Sequence, residues 1–279
     1  MRINTSTAAF AGLLAAATSA TAQNATSTCA TGVYIIVARG SNEAPGSGRI
    51  GSVANGTVAA IPGSQIAPLD YPASFDNYSS SVAVGAEALK AALTLYNSRC
   101  PNSKVALLGY SQGAQVTGDI LCGSVDEDEG EALNIEFNQT APVAASVVDQ
   151  SVIAVVLFGD PTHNVSASWN KGTSKRNGLF PRENVTKCEA YASKIESYCD
   201  TGDIYCDLGN NTSVHGSYFA NYTDDAVEFI AAQYNASQET KGSSPTATPT
   251  TIPGSGSAAS APGLLMSLAG LSMLAAFIL

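Results

Sequence analysis

Apolar residues along the chain follow two alternating patterns. Val33–Val37 (VYIIV), Lys104–Leu108 (KVALL) and Val152–Phe158 (VIAVVLF) are short apolar runs, two of them rich in β-branched residues, as in strands buried on both faces. Ser81–Leu95 (SVAVGAEALKAALTL) instead repeats apolar residues at helical spacing behind a serine that reads as an N-cap. Gln112–Cys122 and Thr223–Tyr234 are two further helical segments, and Lys194–Tyr198 is a candidate fourth strand. Strands alternating with helices predict an α/β fold, a three-layer α/β/α sandwich on a mainly parallel central sheet. No internal repeat interrupts this order.

Both ends depart from that pattern. Residues 1–22 carry one early Arg2, an apolar small-residue stretch and the closing tripeptide Ala20-Thr21-Ala22, which predicts a cleaved secretory signal peptide. Residues 23–236 form the folded domain, long enough to close one hydrophobic core. Residues 237–256 are rich in Ser, Thr, Pro and Gly and predict a stalk that cannot bury enough apolar surface to fold. Residues 257–279 end in an apolar run, Leu264 to Leu279, with no Lys or Arg beyond it. That run is shorter than the roughly 20 residues a bilayer core needs. Small residues at 254–257 before it match a GPI-anchor signal, whose tail is removed.

The formal net charge of −10 argues against nucleic acid or an anionic membrane surface as partner. The only membrane association expected is through the GPI anchor. Six cysteines, Cys29, Cys100, Cys122, Cys188, Cys199 and Cys206, all lie in the folded part. An even count in a secreted chain predicts three disulfides, with every pairing open at this level. No C-x-x-C pair suggests zinc. The acidic run at 126–131 (DEDEGE) lacks calcium-loop spacing and reads as a solvated loop. Sequons at Asn24, Asn55, Asn77, Asn138, Asn164, Asn184, Asn210, Asn211, Asn221 and Asn235 fit a glycosylated secreted protein.

One stretch carries candidate chemistry. VALLGYSQGAQV (105–116) places Gly-x-Ser-x-Gly between a strand and a helix. A serine in that turn stands exposed at the strand's carboxyl end, near the positive end of the following helix. The hydroxyl needs a base within hydrogen-bond reach, and the chain has only His163 and His215. In chain order Ser, acid, His, the late His215 is the better base. Its acid is sought in CDTGDIYC (199–206), where Asp203 is preferred to Asp200 and Asp207. A Cys199–Cys206 disulfide would stiffen that loop. His163 would have to use Asp149 or Asp160, and Asp160 suits a turn better. Oxyanion donors are expected from the Gln112 N–H and from Ser41, in the loop ARGSNEAPGSG after the first strand. No metal or organic cofactor is required.

ARGSNE (38–43), GYSQGAQV (109–116), FGDP (158–161), YCDTGDIYC (198–206) and VHGSYF (214–219) together resemble the fungal cutinase and acetylxylan esterase family over residues 29–235. The resemblance implies a compact α/β-hydrolase-like, cutinase-like sheet with no large lid. It implies a Ser111–His215–Asp203 triad, a Ser41 and Gln112 oxyanion hole, and disulfides Cys29–Cys100 and Cys199–Cys206, leaving Cys122–Cys188. It also implies a secreted serine carboxylesterase, taken as a monomer. LDYPASFDNYSSSV (69–82) is similar to the acetylxylan esterase side, which points to acetyl esters of plant polysaccharide. Cutin-like polyester is the alternative substrate. A surface adhesin or host-interaction protein on the same scaffold is the alternative of another class, suggested by the anchor signal and the sequons.

Overall fold

The computed structural model describes residues 28–242 apart from 127–129, 132 and 184. The segments expected to be the signal peptide and the anchor tail, most of the expected stalk, the centre of the acidic run, and the sequons Asn24 and Asn184 lie outside the described residues. In chain order the elements begin with β1 (Val33–Ala38), α1 (Gly51–Ala60), β2 (Gln65–Pro68), α2 (Tyr78–Arg99), β3 (Lys104–Tyr110) and α3 (Gln112–Cys122). There follow α4 (Ala145–Ser151), β4 (Val152–Phe158), β5 (Asn170–Lys171), α5 (Thr186–Glu189) and β6 (Ile195–Tyr198). The domain closes with α6 (Thr212–His215), α7 (Tyr218–Asn221) and α8 (Thr223–Gly242). No helix among the described residues is long and apolar enough to cross a membrane.

Six strands form one open sheet in the order β2-β1-β3-β4-β6-β5, and every pairing is parallel. Because neighbouring side chains on a strand point to opposite faces, each central strand feeds two cores. Val105 and Leu107 of β3 pack with Ile36, Val155 and Leu157 under α2 and α3. Ala106, Leu108 and Tyr110 pack with Ile35, Val37, Val156 and Phe158 under α1 and α8. That explains the unbroken apolar runs, since a strand covered on both sides has no polar face. Each fully buried aliphatic side chain contributes about 1.5–3 kcal/mol.

The strand β2 is an edge strand with three half-buried residues and an exposed Pro68, so QIAP shows no apolar run. Its Pro68 is tolerated because an edge strand has one unpaired side. The two-residue β5 is equally silent in the pattern. Ser81 is not the cap of its helix: α2 starts at Tyr78. The Ser81 hydroxyl is buried instead, accepting from the Ser74 amide at 3.0 Å and donating to Gln112 Oε1 at 2.8 Å. The last helix also runs past Tyr234, where the apolar pattern stops, to Gly242.

All six cysteines are paired, as Cys29–Cys100, Cys122–Cys188 and Cys199–Cys206. The parallel strands deliver their carboxyl ends to one edge of the sheet. There β1 runs into the Arg39–Glu43 loop, β3 into Ser111, β4 into the Gly159–His163 turn and β6 into the Cys199–Cys206 loop. Open parallel sheets place their ligand crevices at this edge.

Candidate active site

Ser111 has φ 54° and ψ −120°, between the last residue of β3 and the first of α3. A non-glycine residue at positive φ is strained, typically by about 1–3 kcal/mol, and the surroundings hold it there. The Ser111 amide donates to Phe158 O at 2.9 Å, and its carbonyl accepts from Ala114 at 2.8 Å. Two residues on, a Cβ at Gly113 would lie 2.0 Å from the Ala38 carbonyl oxygen. Only glycine lets the end of β1 come so close to the first turn of α3, which brings the loop after β1 beside the serine.

That loop is rigidly built. Arg39 is buried, and its guanidinium donates to the carbonyls of Leu69 at 3.3 Å, Tyr71 at 2.8 Å and Glu43 at 2.9 Å. The Glu43 carboxylate accepts from the amides of Gly40 at 2.8 Å and Arg49 at 3.0 Å. Ser41 Oγ is buried without a hydrogen-bond partner among the described residues, and Ser41 lines the cleft that contains Ser111. The Gln112 side chain is fully buried and anchored, accepting from Ser81 and donating to Ser74 O at 2.9 Å. Its backbone N–H opens α3, where the first amides have no partner within the helix.

The structure joins His215 to Asp203. Nδ1 lies 2.8 Å from Asp203 Oδ2, and Asp203 is 0% exposed. The other carboxylate oxygen accepts from the amides of Tyr205 at 2.7 Å and Cys206 at 3.1 Å. Tyr218 Oη adds a fourth bond, donating to Oδ2 at 2.7 Å. Burial alone would raise this carboxyl. The His215 bond and charge, the Tyr218 bond and the Tyr205 amide outweigh burial and hold it below the ordinary carboxylate value. An ionised Asp203 can only accept, so Nδ1 carries the imidazole hydrogen and Nε2 is left without one. His215 Nε2 is buried, without a hydrogen-bond partner among the described residues, and His215 lines the same cleft as Ser111.

The other candidates have different partners. The Asp200 carboxylate accepts from Thr173 and from Tyr222 Oη at 2.8 Å. That of Asp207 accepts from Ser174, Arg176 and the Gly202 amide. Asp160 closes a turn by accepting from the amide and hydroxyl of Thr162. His163 is buried beside a separate small cavity, next to Asp160 and Arg182. Neither of its nitrogens has a hydrogen-bond partner among the described residues.

Several residues at the site were not singled out from the sequence. Tyr110 stacks on the His215 ring at 5.1 Å and donates to the His215 carbonyl at 3.0 Å. Tyr205 meets the ring edge-on at 4.6 Å. Arg49 donates to Gly216 O at 2.6 Å. A Cβ at Gly159 would lie 2.8 Å from the His215 imidazole, so the glycine of FGDP makes room for that ring. The sequence signal for these residues was adjacency to the quoted motifs. The contacts themselves span up to 167 positions and cannot be seen locally.

The cleft has a volume of about 380 Å³. Beyond Ser41, Ser111 and His215 its wall is largely apolar, with Phe75, Tyr78, Leu133, Ile135 and Phe180 prominent. Tyr78 presents its ring there because its hydroxyl is engaged by Gln115 Oε1 at 2.9 Å.

Parallel strands that carry a strained serine to the start of a helix, with an acid-bound imidazole in the same cleft, define an α/β hydrolase. Its sheet is of the open, cutinase-like kind. The chain belongs to the cutinase family, whose profile matches residues 29–234. It is 34% identical over 208 residues to "Acetylxylan esterase 2" of Talaromyces purpureogenus, covering 72% of this chain and 86% of that protein. It is 33% identical over 211 residues to "Cutinase 11" of Verticillium dahliae, covering 73% and 69%. A solved acetylxylan esterase superposes with a TM-score of 0.67 at 34% identity, covering 74% of this chain and 100% of that one. These relationships make the chain a carboxylic ester hydrolase.

Proposed function

We propose that this hydrolase works through an acyl-enzyme, with Ser111 as nucleophile, His215 as general base then general acid, and Asp203 fixing the imidazole. The observation that carries this reading is the Asp203–His215 bond of 2.8 Å, which leaves Nε2 as an acceptor in the cleft that holds Ser111. His215 takes the proton from Ser111 Oγ as that oxygen attacks the ester carbonyl. The Gln112 N–H and the Ser41 hydroxyl donate to the oxyanion that develops. His215 then protonates the leaving alcohol, and water attacks the acyl-serine by the same route in reverse. Ser111→Ala abolishes p-nitrophenyl acetate turnover under this reading, and turnover retained by the folded variant rejects it. Labelling of Ser111 by a fluorophosphonate separates the enzyme from an adhesin on the same scaffold.

The substrate we infer is an acetyl ester of plant polysaccharide. The resemblance of residues 69–82 and the acetylxylan esterase relatives support it. The apolar wall of Phe75, Leu133, Ile135 and Phe180 favours a second reading, a longer acyl chain of the cutin type. Acetylated xylan assayed beside cutin, with p-nitrophenyl esters from two to ten carbons, decides between them. A preference for the longer chains overturns deacetylation.

Three disulfides suit an oxidising, extracellular compartment. We further infer that the protein is secreted by its first 22 residues, glycosylated, monomeric and held at a cell surface by a GPI anchor. Release from cells by phosphatidylinositol-specific phospholipase C tests the anchor, and a mass shift on treatment with peptide N-glycosidase tests the glycans.

A further inference from the structure

Tyr218 is fully buried and lies three residues after His215 in VHGSYF. Its hydroxyl touches three groups whose chemistry sets its direction. The Asp200 backbone N–H, 3.1 Å away, can only donate, so Tyr218 Oη accepts there. Cys206 Sγ at 3.2 Å belongs to a disulfide and has no hydrogen to give. The Tyr218 proton therefore goes to Asp203 Oδ2 at 2.7 Å, the same oxygen that His215 Nδ1 approaches at 2.8 Å. Burial, followed by the charge and bond of Asp203, pushes this phenol far above its ordinary value, so it remains a donor across the working range.

We propose that Tyr218 is a positioning residue for the acid–base step, acting through Asp203 rather than on substrate. Its bond fixes the plane of the carboxylate together with the Tyr205 and Cys206 amides. It also shares the charge on Oδ2, which moderates how strongly Asp203 stabilises the imidazolium formed when Ser111 gives up its proton. No proton passes to Asp203: it moves from Ser111 Oγ to His215 Nε2, and Nδ1 keeps its own. The inference rests on the triad proposed above.

The test is Tyr218→Phe in the full chain, which removes one oxygen and keeps the ring's stacking on Phe158, whose centroid is 5.8 Å away. Hydrogen bonds to charged groups are worth enough that kcat for p-nitrophenyl acetate falls about tenfold, with KM within about twofold. With one donor fewer, Asp203 holds imidazolium more strongly, so the acid limb of the kcat/KM profile moves to higher pH. The comparator is Tyr222→Phe, which removes the 2.8 Å bond to the Asp200 side chain and leaves Asp203 untouched. It leaves the acid limb in place. An unmoved acid limb in Tyr218→Phe, or an equal shift in Tyr222→Phe, overturns the role. Fluorophosphonate labelling of the unmutated protein keeps the two failures apart. Labelling at Ser111 with an unmoved limb rejects only the role of Tyr218. Absence of labelling in folded, unmutated protein rejects the triad, and the role with it.

Discussion

Replacing Asp203 by Asn tests the site through its hydrogen-bond directions. The Asp203 carboxylate accepts four bonds, two amides on Oδ1 and the His215 and Tyr218 hydrogens on Oδ2. An asparagine has one acceptor oxygen to offer. If that oxygen keeps the Tyr205 and Cys206 amides, its NH₂ faces His215 and donates to Nδ1. The imidazole hydrogen then moves to Nε2, where it blocks the base. If the amide flips instead, its NH₂ faces two backbone N–H groups, and both are left unpaired in a fully buried site. The first arrangement costs less, because unpaired buried donors cost about 1–3 kcal/mol each. A wrong tautomer in such a triad lowers kcat by roughly 10⁴, or about 5.5 kcal/mol of activation free energy. The assay is kcat for p-nitrophenyl acetate at pH 7–8, with circular dichroism and Tm confirming the fold. A folded Asp203→Asn protein within tenfold of the parent would refute the assignment of Asp203 as orienting acid.

Four further outcomes follow from the same geometry. Ser41→Ala removes an unpaired buried hydroxyl at the site and should lower kcat about 10²–10³-fold with little change in Tm, because no existing bond is lost. In Gly113→Ala the new Cβ meets the Ala38 backbone, which cannot yield as a side chain would. Denaturant unfolding should show a loss of at least about 3 kcal/mol, or no folded protein. Replacing both Cys199 and Cys206 by Ser opens the short loop around Asp203 and should cost roughly 2–3 kcal/mol in urea unfolding, with kcat falling further than the stability loss explains. The fourth concerns His163. Burial lowers its folded value, against smaller opposing effects of Asp160, Asp207 and Asp203. The unfolded chain therefore takes up a proton that the native state resists, and stability declines as pH falls below about 6.5. His163→Gln should flatten that decline, read as the stability difference between pH 7 and pH 5; an unchanged difference would assign the decline to other groups.

Much of the frame was legible in the chain. β1, β3 and β4 were visible because strands covered on both faces show nearly unbroken apolar runs, whereas β6 carries Glu196 and Ser197 among its four residues and was legible only as a candidate. β2 and β5 escaped because an edge strand or a two-residue bridge needs no apolar run. The apparent cap Ser81 was misleading for a related reason. A small hydroxyl before an apolar stretch signals a cap, yet its hydrogen bonds here join Ser74 to Gln112 across the fold.

At the site, composition was unusually informative: two histidines and one strand–Ser–helix elbow left few combinations to consider. The choice among Asp200, Asp203 and Asp207 was not settled by the loop's residues alone. All three lie within eight positions of one another and all three are buried. They differ in which neighbours the folded loops bring to them: Thr173 and Tyr222 for Asp200, Ser174 and Arg176 for Asp207, His215 and Tyr218 for Asp203.

The alternation of buried strands and helices, the elbow at Ser111 and a short roster of bases and acids could all be read from the chain. These depend on local periodicity and residue type, which any stretch of chain displays without its partners. Tertiary structure alone decided that Arg39 would clamp the loop carrying Ser41, that Gly159 would make room for the imidazole, and that Tyr218 would share an oxygen with it. Those are contacts between distant segments, made only when parallel strands bring their carboxyl ends to one edge and the loops beyond them must pack together.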